Sequence, residues 1–242
     1  MRRHRRIDLS PETAKALDRR NNAVGKKVDI NPAIDATATW EGSRKTKYMT
    51  AVVKTLRTMT EPLHRCMYCG DSHGTDVEHF WPKAKYPRKM YEWLNLLLCC
   101  AECGRIKRDK FPLRGNQPLL IDPTLDDPWK HLDFDPQTGN ISSRFCLAVN
   151  DWDERGTQTV KCLELDRREA LSNTLLKSYR RLSHLVDESI AAGQADLHRF
   201  LEADDTGLLE WCLFGTGVSR KPFSDLVAEF PKLQAEYAAR FR

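Results

Sequence analysis

Two Cys-x-x-Cys pairs frame the part of the chain whose residues could do chemistry. Cys66 and Cys69 form the first pair, and Cys100 and Cys103 form the second. Two residues between thiolates let one turn direct both sulfurs at one ion, so two such turns supply a tetrahedral site for Zn²⁺. A disulfide framework is the alternative, but it is typical of small secreted proteins, and this 242-residue chain begins without a secretory signal. The spacing therefore predicts a structural zinc site.

Glu78 and His79 lie between the two cysteine pairs, and Asn95 follows them. A histidine can take a proton from water, and a neighbouring carboxylate can hold a hard divalent cation, Mg²⁺ or Mn²⁺. Together these groups suit the hydrolysis of a phosphodiester. Neighbouring residues of a regular strand point to opposite faces, so we expect the strand to end or bend at this pair, as the following Pro82 also indicates.

The segment from Cys66 to Pro112 resembles the HNH endonucleases, also called ββα-metal nucleases. The shared order is Cys-x-x-Cys, acid-His-x-x-Pro, Asn-Leu-x-Leu-x-Cys-x-x-Cys, and a lysine four residues after the last cysteine. The resemblance implies that Glu78 binds the catalytic cation and that His79 is the general base. It also implies that Asn95 fixes the loop carrying the base and that the four cysteines bind zinc.

One position departs from the HNH pattern. The family usually has His or Asn directly after the last cysteine as a second ligand of the cation, and this chain has Gly104. Glycine has no side chain that could bind a metal. Either water, a backbone carbonyl or Asp109 completes the cation site, or the site is weak or inactive.

Flanking residues extend the resemblance from about Pro11 to about Asp166. Glu-His-Phe-x-Pro-Lys, Tyr-x-Glu-Trp-x-Asn-Leu, Lys-x-Asp-x-Phe-Pro and Leu120-Ile-Asp-Pro123 are similar to the PtuB-type HNH effectors of Septu and retron anti-phage systems. This resemblance implies a defence nuclease that acts on nucleic acid, most simply DNA, with a PtuA-type ATPase as its partner. Two alternatives stay open: an effector that cleaves RNA such as tRNA, and a zinc-binding nucleic-acid-binding module that has lost catalysis.

Positive charge is concentrated in the first half of the chain. The formal net charge is +5, but residues 1–115 hold 24 Lys and Arg against 13 Asp and Glu, whereas residues 116–242 hold 15 against 21. A basic half that carries the predicted site suits a polyanionic substrate. The residues expected to contact phosphates flank the site: Lys83, Lys85, Arg105, Lys107 and Arg108.

The sequence allows two interpretations for each of two features: the aromatic residues Trp81 and Tyr86, and the N-terminal arm. Trp81 and Tyr86 stand among basic residues, where they could stack on bases or wall a small core, whereas Trp93 is expected in the core. Residues 1–9 form a basic arm that either contacts nucleic acid or is disordered.

The four cysteines outside the two pairs are expected to be buried: Cys99, Cys146, Cys162 and Cys212.

The expected fold is α+β: a zinc-bound ββα-metal (HNH) core with N-terminal helices and a mainly helical C-terminal region. Its expected segments are a basic arm with helices (1–60), the nuclease core (61–115), a β-hairpin connection (116–150) and a helical region (151–242). The core should contain strands at 77–80 and 96–99 and a helix at 103–110. No run of about 18 apolar residues occurs, so we expect no membrane span and a cytoplasmic location.

Local patterns also predict the elements on either side of the core. On the N-terminal side we expect a helix from Pro11 to about Asn22, an irregular connection at 23–40 and a helix at 43–58. On the C-terminal side we expect a hairpin with strands at 131–134 and 141–146, followed by helices. The last of these helices should be kinked or divided at Pro231.

Overall fold

Many helices and a few short strands make up residues 1–241, the part of the chain that the computed structural model describes. The fold is α+β, and the described residues divide into two units. The site unit comprises residues 6–66 and 73–111, and the C-terminal unit comprises residues 1–5, 67–72 and those from Pro112 onwards. The site unit holds 20 Lys and Arg against 12 Asp and Glu, a formal net charge of +8. The excess positive charge of the chain therefore resides in the unit that contains Glu78 and His79.

The first helix, α1 (Pro11–Ile30), is longer than its local pattern predicts. Ser10 caps it as expected, by accepting a hydrogen bond from a main-chain amide of the first turn at 3.3 Å. The helix continues because Leu17 and Val24, seven residues apart, both lie on its buried side. The irregular connection predicted at residues 23–40 is therefore wrong over much of its length.

Two further helices complete the N-terminal part of the site unit. Asp35 caps α2 (Ala36–Glu41) by accepting a hydrogen bond at 2.9 Å, and this short helix buries Trp40. The predicted helix at 43–58 is present as α3 (Lys47–Thr58). Its apolar stripe is fully buried and consists of Met49, Val52 and Leu56.

Two four-residue strands and a short helix follow in the order expected for the core. β1 (Asp76–His79) pairs antiparallel with β2 (Leu96–Cys99) along its whole length, and all of β2 is buried. α4 (Ala101–Lys107) begins almost directly after β2, and Cys100 caps its first turn through Sγ. β1 ends at His79, where the sequence predicts that the strand ends or bends.

The C-terminal unit consists of short hairpins and helices. The hairpins are β3 (Leu113–Arg114) with β4 (Gln117–Pro118), β5 (Leu132–Phe134) with β6 (Ile141–Ser143), and β7 (Phe145–Cys146) with β8 (Asp151–Trp152). The helices are α5 (Glu154–Leu163), α6 (Glu169–Ala192), α7 (Leu197–Ala203), α8 (Leu209–Phe214), α9 (Phe223–Glu229) and α10 (Lys232–Phe241). The chain divides at Pro231 into two helices, as predicted, whereas the strand predicted at 141–146 is divided between two hairpins. Within residues 1–241, no helix has both the length and the apolar character needed to cross a membrane.

We predict that Gly74→Ala destabilises the site unit. A Cβ at residue 74 would lie 2.3 Å from Cγ of Leu98, which is fully buried in β2. Because this leucine would have to move, the free energy of unfolding in chemical denaturation should fall by about 1–3 kcal/mol.

The control for this substitution is Gly25→Ala in α1. Its Cβ would meet its nearest neighbour, an arginine side-chain nitrogen, at 3.5 Å, which is ordinary contact. Alanine also favours a helix over glycine by roughly 0.5–1 kcal/mol, so the free energy of unfolding should be unchanged or slightly higher. Equal stabilities of the two variants would contradict the tight packing of residue 74 on Leu98.

Candidate metal and catalytic site

The cysteines of the two Cys-x-x-Cys pairs form one buried cluster. The sulfurs of Cys66, Cys69, Cys100 and Cys103 all lie within 4.8 Å of one another. A tetrahedral Zn²⁺ with Zn–S bonds of about 2.3 Å requires sulfur–sulfur distances of about 3.8 Å, so small movements would close the cluster around the ion. All eight cysteines of the chain lie in the described residues, and no disulfide links any of them. The donor set fits a structural zinc ion, as the spacing predicts.

The other four cysteines are not part of this cluster. Sγ of Cys99 lies 3.9 Å from Sγ of Cys66 and donates a hydrogen bond to the Cys100 carbonyl at 3.3 Å, so it is a buried neighbour of the cluster. Cys162 and Cys212 are buried as expected. Cys146 is exposed, and the prediction of a core position for it is wrong because the whole of β7 is exposed.

His79 lies at the end of β1 with its side chain packed inside the site unit. The residue is 3% exposed, and its ring meets the Trp40 ring edge-on at a centroid distance of 4.4 Å. Nε2 lies 3.1 Å from the Met90 carbonyl oxygen. Since a carbonyl only accepts, Nε2 carries the hydrogen and Nδ1 keeps its lone pair. Burial, followed by the positive charge of Lys83, lowers the pKa of His79 to about 3, so the ring is neutral at pH 7.

Asn95 holds both ends of the loop that follows His79. Its Oδ1 accepts a hydrogen bond from the Trp81 amide at 2.7 Å. Its Nδ2 donates to the Lys89 carbonyl at 2.8 Å and to the Trp81 carbonyl at 3.2 Å. The Met90 carbonyl that holds the His79 ring comes directly after Lys89. These contacts are the kind that the predicted loop-fixing role of Asn95 requires.

The carboxylate of Glu78 forms an ion pair with Lys107. The Lys107 ammonium lies 2.8 Å from Oε1 of Glu78 and 2.8 Å from the main-chain carbonyl oxygen of His79. The Lys107 side chain is 0% exposed and that of Glu78 is 18% exposed. Lys107 is therefore too deeply buried for the phosphate contact predicted for it, because its charge is directed inward onto Glu78. The other oxygen of that carboxylate, Oε2, faces position 104.

Gly104 and Asp109, the two positions that bear on completing a cation site, have different surroundings. A Cβ placed on Gly104 would have Oε2 of Glu78 as its nearest neighbour, at 3.6 Å. Asp109 is exposed and forms an ion pair with Lys85 at 3.2 Å, and the hydrogen bond from Lys85, followed by its positive charge, lowers the pKa of the Asp109 carboxyl. Position 104 therefore adjoins the Glu78 carboxylate, whereas the Asp109 carboxylate is held by a lysine.

The remaining residues predicted to contact phosphates lie closer to solvent than Lys107. Arg105 is exposed on α4, Arg108 is exposed directly after this helix, and Lys85 is exposed in the loop after β1. Lys83 in the same loop is half-buried, and its positive charge contributes to the lowered pKa of His79. Four of the five predicted residues thus keep charged groups at or near the surface of the site unit.

The aromatic residues among these basic side chains pack on one another. Trp81 and Tyr86 meet at a ring-centroid distance of 4.9 Å, and Phe111 contacts them at 4.5 and 5.8 Å. This cluster favours the small-core interpretation for Trp81 and Tyr86, although each remains half-buried. Trp93 is also half-buried, and the Arg6 guanidinium lies 4.9 Å above its ring.

Three contacts of the site were not foreseen from the sequence. The inward-facing Lys107 could have been suspected, since it lies three residues after Gly104 and so shares its helical face. The Met90 carbonyl has no sequence signal, because any residue supplies a carbonyl. Arg6 donates hydrogen bonds to the carbonyls of Trp93, Leu94 and Leu96, and the run of arginines near the N-terminus does not single it out.

Comparison with known proteins finds distant similarity to two bacterial proteins. The chain is 30% identical over 113 residues to Septu protein PtuB of Bacillus thuringiensis, and the aligned region covers 45% of this chain and 39% of that protein. It is 29% identical over 136 residues to Septu protein PtuB of Bacillus mycoides (strain KBAB4), and this aligned region covers 43% of this chain and 44% of that protein. The chain thus spans less than half the length of these two relatives. No family model matches it.

We predict that Cys66→Ser and Cys103→Ser lose zinc and stability together. Four thiolates leave no open coordination position, and the free energy of zinc binding at such a site is part of the free energy of folding. Elemental analysis of the purified wild-type chain should give one zinc per molecule, and each variant should give less and unfold at a lower temperature.

Cys99→Ala is the matched control for the zinc site. It removes a buried sulfur beside the cluster without removing a ligand, so its zinc content should equal that of the wild-type chain. Well-folded wild-type protein without zinc, or zinc loss in Cys99→Ala, would contradict the four-cysteine assignment.

Proposed function

We propose that this chain is a metal-dependent HNH endonuclease that hydrolyses phosphodiester bonds of nucleic acid, with DNA as the expected substrate. The observation that carries this proposal is the arrangement at the end of β1. A neutral, buried His79 has its Nδ1 lone pair available, and Glu78 beside it in the chain presents one carboxylate oxygen towards position 104. The +8 charge of the site unit suits a polyanionic substrate.

In the proposed reaction His79 is the general base. The Met90 carbonyl holds the ring by Nε2–H, so that Nδ1 takes the proton from the attacking water. Asn95 keeps the loop that contains this carbonyl in place. Glu78 is the protein ligand of the divalent cation, Mg²⁺ or Mn²⁺, which when bound neutralises charge on the phosphate and on the leaving oxygen.

The similarity to Septu protein PtuB supports a role in anti-phage defence. On this proposal the chain is the nuclease effector of a Septu-type system and acts with a PtuA-type ATPase that restrains or directs it. The same active site would serve an effector that cleaves RNA, such as tRNA. Assays with plasmid DNA and with tRNA, each with Mg²⁺ or Mn²⁺ and with or without a PtuA-type ATPase, distinguish these substrates.

One observation favours a different class of function, a zinc-binding nucleic-acid-binding module without catalysis. Lys107 already neutralises Glu78, and Gly104 supplies no second ligand. The neutral His79 and the loop held by Asn95 weigh against this candidate, because a binding module needs neither. It predicts retained nucleic-acid binding without cleavage under any metal or with any partner.

We predict that His79→Ala abolishes cleavage while leaving nucleic-acid binding nearly intact. Loss of a general base typically lowers the rate by about 10²–10⁴, and more where the base also positions the water. Single-turnover cleavage measures the rate, and circular dichroism checks the fold. His73→Ala, which alters an exposed histidine of the same unit, should cleave at the wild-type rate. Wild-type activity in His79→Ala would rule out the proposed base.

We predict that neutralising Arg105 and Arg108 weakens binding to all nucleic-acid sequences alike. Phosphate contacts carry no sequence information, and each one lost should reduce the slope of log K against log salt concentration by about one. Fluorescence anisotropy over a range of salt concentrations measures this slope. Lys177→Ala, on α6 of the C-terminal unit, should leave it unchanged. A loss confined to one sequence context would indicate base recognition instead.

A further inference from the structure

The buried ammonium of Lys107 is the feature that the proposed reaction leaves unexplained. A fully buried lysine is rare unless it is paired, and this one contacts two groups of the site at once. It lies 2.8 Å from Oε1 of Glu78 and 2.8 Å from the carbonyl oxygen of His79. It therefore touches the side chain of the proposed metal ligand and the backbone of the proposed base.

The same helix determines which oxygen of Glu78 stays available. Gly104 and Lys107 are three residues apart on α4 and face the same side of the helix. Lys107 takes Oε1, whereas a Cβ at position 104 would have Oε2, at 3.6 Å, as its nearest neighbour apart from the backbone of its own helix and the adjoining residues. The space in front of Oε2 is consequently the place on this carboxylate where a cation could bind.

We infer that Lys107 is a positioning residue that acts through Glu78: it holds Oε1, leaves Oε2 as the single carboxylate oxygen for the catalytic cation, and keeps cation affinity low until nucleic acid binds. This inference rests on the proposed function and assigns its regulation. A cation held by one protein oxygen takes its other ligands from water and substrate phosphate, an arrangement that Mg²⁺ tolerates. The positive charge of Lys107 also opposes a second cation at the same carboxylate.

The direction in which divalent-cation affinity changes when Lys107 is replaced distinguishes this role from a merely structural one. Replacing Lys107 by methionine removes a positive charge beside Glu78 and frees Oε1 for the cation. Divalent-cation binding should then become tighter, by about tenfold or more, while cleavage slows because Glu78 and the His79 backbone are no longer held. A lysine that only stabilises the fold would on replacement leave cation binding unchanged or weaker.

The experiment is a titration of the full-length, zinc-loaded chain with Mn²⁺ in the absence of nucleic acid, in which the free ion is followed by electron paramagnetic resonance. We expect weak binding in the wild-type chain, tighter binding in Lys107→Met, and loss of the gain in Lys107→Met combined with Glu78→Gln. Lys110→Met removes an exposed positive charge just beyond the same helix and should change Mn²⁺ affinity little. Unchanged or weaker Mn²⁺ binding in folded Lys107→Met would overturn the inference.

Two further variants keep the test decisive if Lys107→Met is unstable. Lys107→Gln removes the charge but can still donate to the His79 carbonyl, and the same tightening is expected. Failure of both variants to fold would make Lys107 structural and overturn the inference. Gly104→Asn, whose Cβ would make only ordinary contact with Oε2 at 3.6 Å, adds a side-chain oxygen on this side of the helix and should also tighten Mn²⁺ binding. No change would place the cation elsewhere.

The Mn²⁺ titration needs no cleavage, so its result is independent of the proposed activity. If the expected order of Mn²⁺ affinities holds but the wild-type chain cleaves neither DNA nor tRNA with any partner, the proposed nuclease function fails and the cation site stands. If the wild-type chain cleaves but Lys107→Met binds Mn²⁺ no more tightly, the nuclease stands and the role given to Lys107 is wrong.

Discussion

Burial of four cysteine sulfurs at one point constrains the structure around them. Removing ionised thiols from water is costly without a cation, and a structural zinc ion contributes directly to the free energy of folding. The cluster joins the turn at Cys66 to the first turn of α4, so both strands lie within the segment that it closes. A two-stranded hairpin is at best marginally stable by itself. The cluster, together with the packing that buries the whole of β2, therefore supports the pairing of β1 with β2 and with it the position of His79.

Side-chain hydrogen bonds take over where regular structure ends. The loop after β1 lies outside the paired strands. Asn95 fixes it through three hydrogen bonds to main-chain groups. Arg6 in turn donates to carbonyls on both sides of Asn95. Buried main-chain groups need such partners, and a network of them restricts the loop more than isolated contacts would. The Met90 carbonyl that holds the His79 ring is thereby placed from outside the strand pair.

Residues next to one another in the chain determined the parts of this structure that sequence reasoning could predict. The cysteine spacing, the two short strands and the cap of α1 each depend on a few neighbouring side chains. The burial of Lys107 depends on Glu78, which lies 29 residues earlier, and the local sequence offers only its three-residue spacing from Gly104 as a sign of it. The length of α1 likewise follows from packing of its buried side, which overrides the weak propensities of the polar residues along it.

The short helix α4 holds its basic side chains at different depths. Arg105 is exposed, whereas Lys107 faces Glu78, because successive helical residues turn by about 100° and residues two apart lie on nearly opposite sides of the helix. Arg108 is also exposed, but it follows the helix with a positive φ of 49°, so its position does not depend on the helical period. Burying an ion pair contributes little net stability, since desolvation offsets the attraction. On the role inferred for Lys107, the benefit of burying it lies in holding the Glu78 carboxylate in one orientation before any cation arrives.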